Sequence, residues 1–180
     1  MKTLTIGIDI DDTITKTFEK SEEYLLKHNE YIPYEELYQG KTERAINFVK
    51  KRLETIQNEC LPKENAIEVI KRLKDKGNKI VIITARGSEI PYNYEKVTKE
   101  YLKKYDIPYD KLIFKSLNKG LDSKNNNVDI LIDDREENLD SAIEYGVKPI
   151  KFKSIREPIS KYPTFDNWLN LEKYLEGGKY

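Results

Sequence analysis

A chain of 180 residues suits one medium domain with room for a small insertion. Its 32 basic and 32 acidic residues cancel to a formal net charge of zero, which removes bulk attraction to nucleic acid or membrane as an expectation. The single cysteine, Cys60, excludes an internal disulfide, and no apolar run nears the ~20 residues of a membrane span, so a soluble, cytoplasmic protein is expected.

The first element is a strand over 3–9. Ile6-Gly7-Ile8 suits a buried central strand, and it runs straight into Asp9 and Asp11. Strand side chains alternate, so residues i and i+2 point the same way and the two acids start on one side. Like charges that close favour a shared cation, and the pair predicts a hard divalent metal, Mg²⁺, held by oxygen ligands. Residues 15–60 read as helical. The clearest helix spans about 43–57, with Ile46, Val49, Leu53 and Ile56 on one face. Phe18, Tyr24 and Leu25 predict a helix before it, and 31–38, with Pro33, reads as a connection.

Asn65 with Glu68 predicts a capping box, Ala66, Val69, Ile70 and Leu73 one helix face, and Gly77 a helix stop. Strand two is 79–84, followed by a helix carrying Tyr94, Val97, Tyr101 and Leu102. Strand three is 112–114, and a turn or short helix covers 120–126. Strand four is 128–132 and ends in Asp133-Asp134. Leu139, Ala142 and Ile143 predict a helix closed by Gly146. Strand five is about 148–152, with Pro149 near its start, where a first strand residue or a sheet edge tolerates proline. Trp168, Leu171 and Leu175 mark a last helix. Alternating strands and helices predict an α/β fold, a parallel sheet flanked by helices. The helical stretch 15–60 interrupts that alternation and reads as a small cap, leaving 1–14 and 61–180 as the core domain.

Asp9/Asp11, Thr84 and Asp133/Asp134 all follow apolar strands. Carboxyl ends of strands in such sheets share one edge, where ligands bind. The motifs Asp9-Ile10-Asp11-Asp12-Thr13, Val81-Ile82-Ile83-Thr84 and Ile130-Leu131-Ile132-Asp133-Asp134 stand in order over a likeness covering about 4–153. On them the chain resembles phosphohydrolases of the haloacid-dehalogenase superfamily. Ala85-Arg86 and Tyr105-Asp106-Ile107-Pro108-Tyr109-Asp110 are similar to its 5′(3′)-deoxyribonucleotidase-like branch.

The resemblance implies a Rossmann-like core with an inserted cap and an aspartyl-phosphate mechanism. Asp9 would be the nucleophile and Asp11 the general acid and base. Thr84, helped by the Ala85 amide, would bind a phosphoryl oxygen, although alone Thr84 is an ordinary strand residue. Arg86 reads equally as a bidentate phosphate contact or a solvated loop residue. Asp9, the Asp11 carbonyl and one acid of the 133/134 pair would hold Mg²⁺. Asp133 is expected as the direct ligand, with Asp134 acting through water or orienting the site, and the reverse assignment stays open. The resemblance also requires a lysine beside the nucleophile. Lys119 ranks first, then Lys124, then Lys115.

Phe18 reads as a cap packing residue or as a stacking partner for a base or sugar. His28 reads as a surface residue and Cys60 as packing. The implied activity is Mg²⁺-dependent hydrolysis of phosphomonoesters, with nucleoside monophosphates, including deoxyribonucleotides, as the substrate class. Other small phosphates such as sugar phosphates, phosphotransfer to an alcohol, and a non-catalytic binding role on the same scaffold are the rival readings. The partner is a small molecule, with no nucleic acid or membrane, and the oligomeric state is open.

Overall fold

A computed structural model describes residues 3–88, 90–153, 160–178 and 180. The core is one six-stranded sheet, all parallel. Its strands are β1 (Thr5–Ile8), β2 (Lys79–Ile83), β3 (Lys111–Ile113), β4 (Ile130–Asp133), β5 (Lys148–Phe152) and β6 (Thr164–Phe165), in the order β3-β2-β1-β4-β5-β6. Helices α1 (Thr17–Lys27), α2 (Tyr34–Gln39) and α3 (Glu43–Glu59) follow β1. The others are α4 (Ala66–Asp75), α5 (Tyr94–Lys104), α6 (Lys119–Asn125), α7 (Glu136–Glu144) and α8 (Trp168–Glu176).

Period-2 alternation divides the strand side chains between two layers. Ile6, Ile8, Ile80, Ile82, Ile130, Ile132, Ile150 and Phe152 join one buried cluster with Val69, Ile70 and Leu73 of α4 and Trp168, Leu171 and Leu175 of α8. Val81, Ile83 and Leu131 join Leu139 and Ala142 of α7 in another. Burial on both faces explains why these strands read as continuous apolar runs. Full burial of each large aliphatic side chain contributes about 1.5–3 kcal/mol. Gly7 is required by closeness: a Cβ there would sit 3.0 Å from Val128 Cγ1 and 3.2 Å from Leu131 Cδ1.

The chain moves from β1 outward through β2 to β3, then returns to place β4 on the other side of β1. This reversal opens a crevice at the carboxyl ends of β1 and β4, where open α/β sheets place ligands. Asp9 and Asp133-Asp134 stand at those two tips.

Helices α1–α3 pack a cluster of their own around Phe18, Leu25, Ile32, Leu37, Ala45, Phe48 and Ile56. The two chain crossings beneath it are tied by an antiparallel bridge between Thr15 and Pro62, with Lys16 N donating to Leu61 O at 2.8 Å and Lys63 N to Ile14 O at 2.7 Å. Cys60 is fully buried, and burial, reinforced by the nearby Asp11 charge, pushes its thiol pKa up to about 11, in keeping with a packing role. Among the described residues no helix is long and apolar enough to cross a membrane.

Three local readings change. Residues 34–39 form α2 where a connection is expected; Pro33 stands at its N-cap, and Tyr34 and Tyr38 stack one turn apart at 5.8 Å. Strand β6 is two residues long, too short to leave a periodic signal. Asn65 does stand at the N-cap of α4, but at φ 59° it makes no side-chain cap bond, so the capping box with Glu68 is not formed. Pro149 agrees with its reading: it is the second residue of β5, on a stretch where the strand is unpaired on one side. Lys148 N faces β4, donating to Asp129 O, and Lys151 N faces β6, donating to Pro163 O. Position 149 shares the parity of 151, and β6 pairs only with Lys151 and Phe152, so the missing N–H removes no ladder bond.

Candidate active site

The site begins with register. Ile8 is level with Ile82 on one side and Ile132 on the other, so Asp9 falls level with Ile83 and Asp133, and Thr84 one step beyond. Asp9 N donates to Ile132 O at 3.0 Å, extending the ladder to the tip. Carboxylate oxygens of Asp9, Asp133 and Asp134 all lie within 4.8 Å of one another, and all three residues are buried.

Lys119 supplies the central cation. Its Nζ donates to Asp9 Oδ1 at 2.5 Å and to Asp133 Oδ2 at 2.7 Å, with the residue only 3% exposed. Helix α6 aims it there. Asn118 caps the helix, accepting from Leu121 N at 2.9 Å, and takes a 2.7 Å bond from Ser141 Oγ of α7. Gly120 lets α6 press against α7: a Cβ at this position would lie 2.2 Å from the Ser141 carbonyl oxygen. Gly120→Ala is therefore expected to push α6 off α7, costing about 1–3 kcal/mol. Thermal melting checks the loss. An unchanged melting temperature would show that α7 yields without strain.

Asp133 is oriented from three sides, since its Oδ1 also accepts from Arg135 N and Asn138 Nδ2, both at 2.9 Å. Lys151, 2% exposed on β5, donates through Nζ to the Asp134 carbonyl oxygen. Lys119 thus offsets Asp9 and Asp133, Arg135 offsets Asp134, and the Lys151 side chain meets a backbone carbonyl. Burial, opposed by Lys119 and reinforced by Asp133, lifts the Asp9 pKa to about 7. Burial, with the charges of Asp133 and Asp9, lifts Asp134 well above the ordinary carboxylate range. Burial also works against the charge of Lys119, but Asp133 and Asp9 outweigh it and hold its pKa above the usual lysine value. The donor set fits a hard divalent cation. It is all carboxylate oxygen, without nitrogen or sulfur, and all three residues are buried. Hydrogen-bonded carboxylate oxygens keep a second lone pair for a ligand bond.

Asp11 is held differently. Arg86 grips it side-on, Nε to Oδ2 at 2.8 Å and a terminal nitrogen to Oδ1 at 2.7 Å, and Thr17 Oγ1 donates to Oδ1 at 2.8 Å. Burial opposes ionisation of Asp11, but Arg86 outweighs it and holds the carboxyl below its ordinary range. Asp12 turns the loop at φ 60°, and its Oδ1 accepts from Phe18 N at 2.7 Å, which anchors the start of α1. Thr84 is fully buried, and its Oγ1 accepts from Arg86 N at 3.2 Å.

The other sequence candidates are placed as follows. Arg86 is neither solvated nor free; it is buried on Asp11. Lys124 is exposed, with its ammonium 5.8 Å from the Tyr145 ring, and Lys115 is exposed over Tyr94 at 5.2 Å. Phe18 is 6% exposed inside the α1–α3 cluster, edge-on to Tyr34 at 4.7 Å. His28 is exposed and stacks on Tyr24 at 6.0 Å. Lys119 is the lysine that reaches Asp9. Sequence reasoning missed Thr17, Thr98, Asn138 and Lys151. Asn138 stands one turn after the acid pair at the head of a helix, a spacing that could have exposed it. Lys151, a charge inside a short apolar strand, could also have been flagged. Nothing local marks Thr17 or Thr98.

No family model matches the sequence, and no curated protein matches it. Solved structures do. A haloacid-dehalogenase-superfamily hydrolase from Ehrlichia chaffeensis superposes with a TM-score of 0.58 at 17% identity, covering 98% of both chains. A haloacid-dehalogenase-like hydrolase from Streptococcus pneumoniae gives 0.69 at 12% identity, over 96% of this chain and 98% of that one. A predicted phosphatase from Clostridium acetobutylicum gives 0.67 at 15% identity, over 98% and 100%. At such identities the likeness establishes the fold: this chain has the haloacid-dehalogenase-like α/β architecture.

Proposed function

We propose that the protein is a divalent-cation-dependent phosphohydrolase acting on small phosphomonoesters through a phosphorylated Asp9. The observation that carries this reading is Asp9 itself, at the tip of the central strand, bonded to buried Lys119 and within 4.8 Å of two further carboxylates. A nucleophile that meets a phosphoryl dianion gains from an ammonium beside its oxygen, because like charges must be offset as they approach.

In the first step an Asp9 carboxylate oxygen bonds to phosphorus as the bond to the ester oxygen breaks. Asp11, after taking a proton from solvent, passes it to the departing alkoxide. In the second step water attacks the same phosphorus, Asp11 takes its proton, and the Asp9 carboxylate and phosphate separate. Lys119 offsets charge on Asp9 and the phosphoryl oxygens throughout, and Thr84 orients one of those oxygens through its hydroxyl. Mg²⁺ held by Asp9, the Asp11 carbonyl and the Asp133–Asp134 pair would supply further charge neutralisation on the phosphoryl group.

For the substrate we favour nucleoside monophosphates, on the likeness of Ala85-Arg86 and residues 105–110 to nucleotidase-like proteins. Helices α1–α3 are the segment we assign as a cap that selects the leaving group. Its aromatic series Phe18, Tyr34 and Tyr38 leads to the acid turn, where Tyr38 OH donates to Asp134 O at 3.4 Å and Arg135 lies 4.9 Å from the Tyr38 ring.

A panel of nucleoside 5′- and 3′-monophosphates and sugar phosphates, assayed for phosphate release with Mg²⁺ and with chelator, tests this. Hydrolysis of nucleotides that stops on chelation is the expected result. Preference for sugar phosphates would move the substrate class, and release of phosphate from none would overturn the enzymatic reading.

A further inference from the structure

We infer that the buried Arg86 guanidinium is a binding site for the substrate's phosphoryl oxygens, and that Asp11 occupies this site in the free protein and must be displaced from it. The inference deepens the phosphohydrolase reading and rests on it.

The geometry is that of an anion site already filled. Arg86 presents its side-on fork, Nε and a terminal nitrogen, to both oxygens of Asp11 at 2.8 and 2.7 Å. That planar pair of donors matches two oxygens of a phosphoryl group as well as those of a carboxylate. The remaining terminal nitrogen donates to Thr98 Oγ1 of α5 at 3.1 Å, and Thr98 is fully buried, so the fork is fixed from behind. The Arg86 amide bonds to Thr84 Oγ1 at 3.2 Å, which puts the fork on the same turn as the hydroxyl assigned to the phosphoryl group.

Exposure decides which member of the pair can move. The Arg86 side chain is 2% exposed, whereas that of Asp11 is 30% exposed. A ligand arriving from solvent therefore meets the carboxylate side of the pair. Arg86 cannot follow a departing Asp11, and a buried guanidinium left without a counter-ion is strongly unfavourable. Among the described residues Asp11 is the only carboxylate bonded to it. Asp11 is thus released as another anion replaces it. The exchange couples the two roles: Asp11 becomes free to reach the leaving oxygen when a phosphoryl group has taken its place on Arg86.

Calorimetric titration with inorganic phosphate, in Mg²⁺ at one fixed pH, tests this on the wild type, Asp11→Asn, Arg86→Gln and the double variant. Asp11→Asn removes the competitor and is expected to tighten phosphate binding about tenfold, the scale of one charge-assisted bidentate contact. Arg86→Gln should weaken it, and in the double variant the gain from Asp11→Asn should vanish. Losing an acid near an anion also helps by simple relief of repulsion, but that gain would persist without Arg86. A gain that persists in the Arg86→Gln background therefore overturns the inference and leaves the phosphohydrolase reading standing. Absence of phosphate binding in every form overturns both. Should Arg86→Gln not fold, the wild type suffices: the Arg86 Nε–H resonance should shift as phosphate is added, and an unmoved resonance during saturable binding overturns the exchange.

Discussion

Asp9→Asn is expected to lower phosphate release by about 10⁴-fold or more, the scale seen when a nucleophile acting as part of a catalytic unit is removed. The substitution keeps the shape and one carbonyl oxygen at the tip of β1, and it removes one of three mutually close buried carboxylates. The folded state should not suffer, since burial and the neighbouring Asp133 already push the Asp9 pKa to about 7 against the pull of Lys119. The variant should melt at or above the wild-type temperature while losing its activity. That combination separates a chemical role from a structural one. Retained turnover with an intact fold would remove Asp9 from the mechanism.

Lys119→Met should act in the opposite sense on stability. It takes a buried ammonium from between Asp9 and Asp133, bonded to them at 2.5 and 2.7 Å. Breaking a buried pair from one side typically costs about 3–5 kcal/mol, because the charge left behind has no compensation. For a chain of this size that is a fall of roughly 10 °C or more in melting temperature. Part of the loss can be relieved by protonation of the orphaned carboxylates, and part by a cation. Added Mg²⁺ should therefore raise the melting temperature of Lys119→Met by more than it raises that of the wild type. Activity should fall by about 10²–10³-fold even where Mg²⁺ restores the fold, as when one preorganised transition-state contact is lost. A variant as stable and active as the wild type would show that Lys119 is a bystander, and Lys124 and Lys115 would then have to be reconsidered despite their exposure.

The core of the site was readable because strand ends are where pattern and chemistry meet. A buried strand must be apolar on both faces, so the first acid after it marks the sheet edge, and that rule points to Asp9 and the Asp133-Asp134 pair, whereas Thr84, an ordinary strand residue by itself, was singled out by the family resemblance. The partnership of Asp9 with Asp133 needed topology. Sequence order places them more than a hundred residues apart, and the reversal of strand order sets them side by side. Lys119 was the leading one of three lysines, but local sequence could not separate it from Lys124. What separates them is burial: Lys119 is 3% exposed where α6 packs closely on α7 at Gly120, and Lys124 is exposed. Arg86 was legible as a charge and illegible as a partner. Its bond to Asp11 depends on the depth of the β2 tip and on Thr98, a buried residue on the next helix. Helix α2 and strand β6 left too few residues for any periodicity to register.

The central claim is that Asp9 carries the phosphoryl group. During turnover of a phosphomonoester with Mg²⁺, rapid quenching and borohydride reduction would convert an aspartyl-phosphate to homoserine, and peptide mass spectrometry would locate it. The account predicts homoserine at position 9 in the wild type and none in Asp9→Asn. Steady phosphate release with residue 9 unmodified, or with the label on another residue, would contradict it.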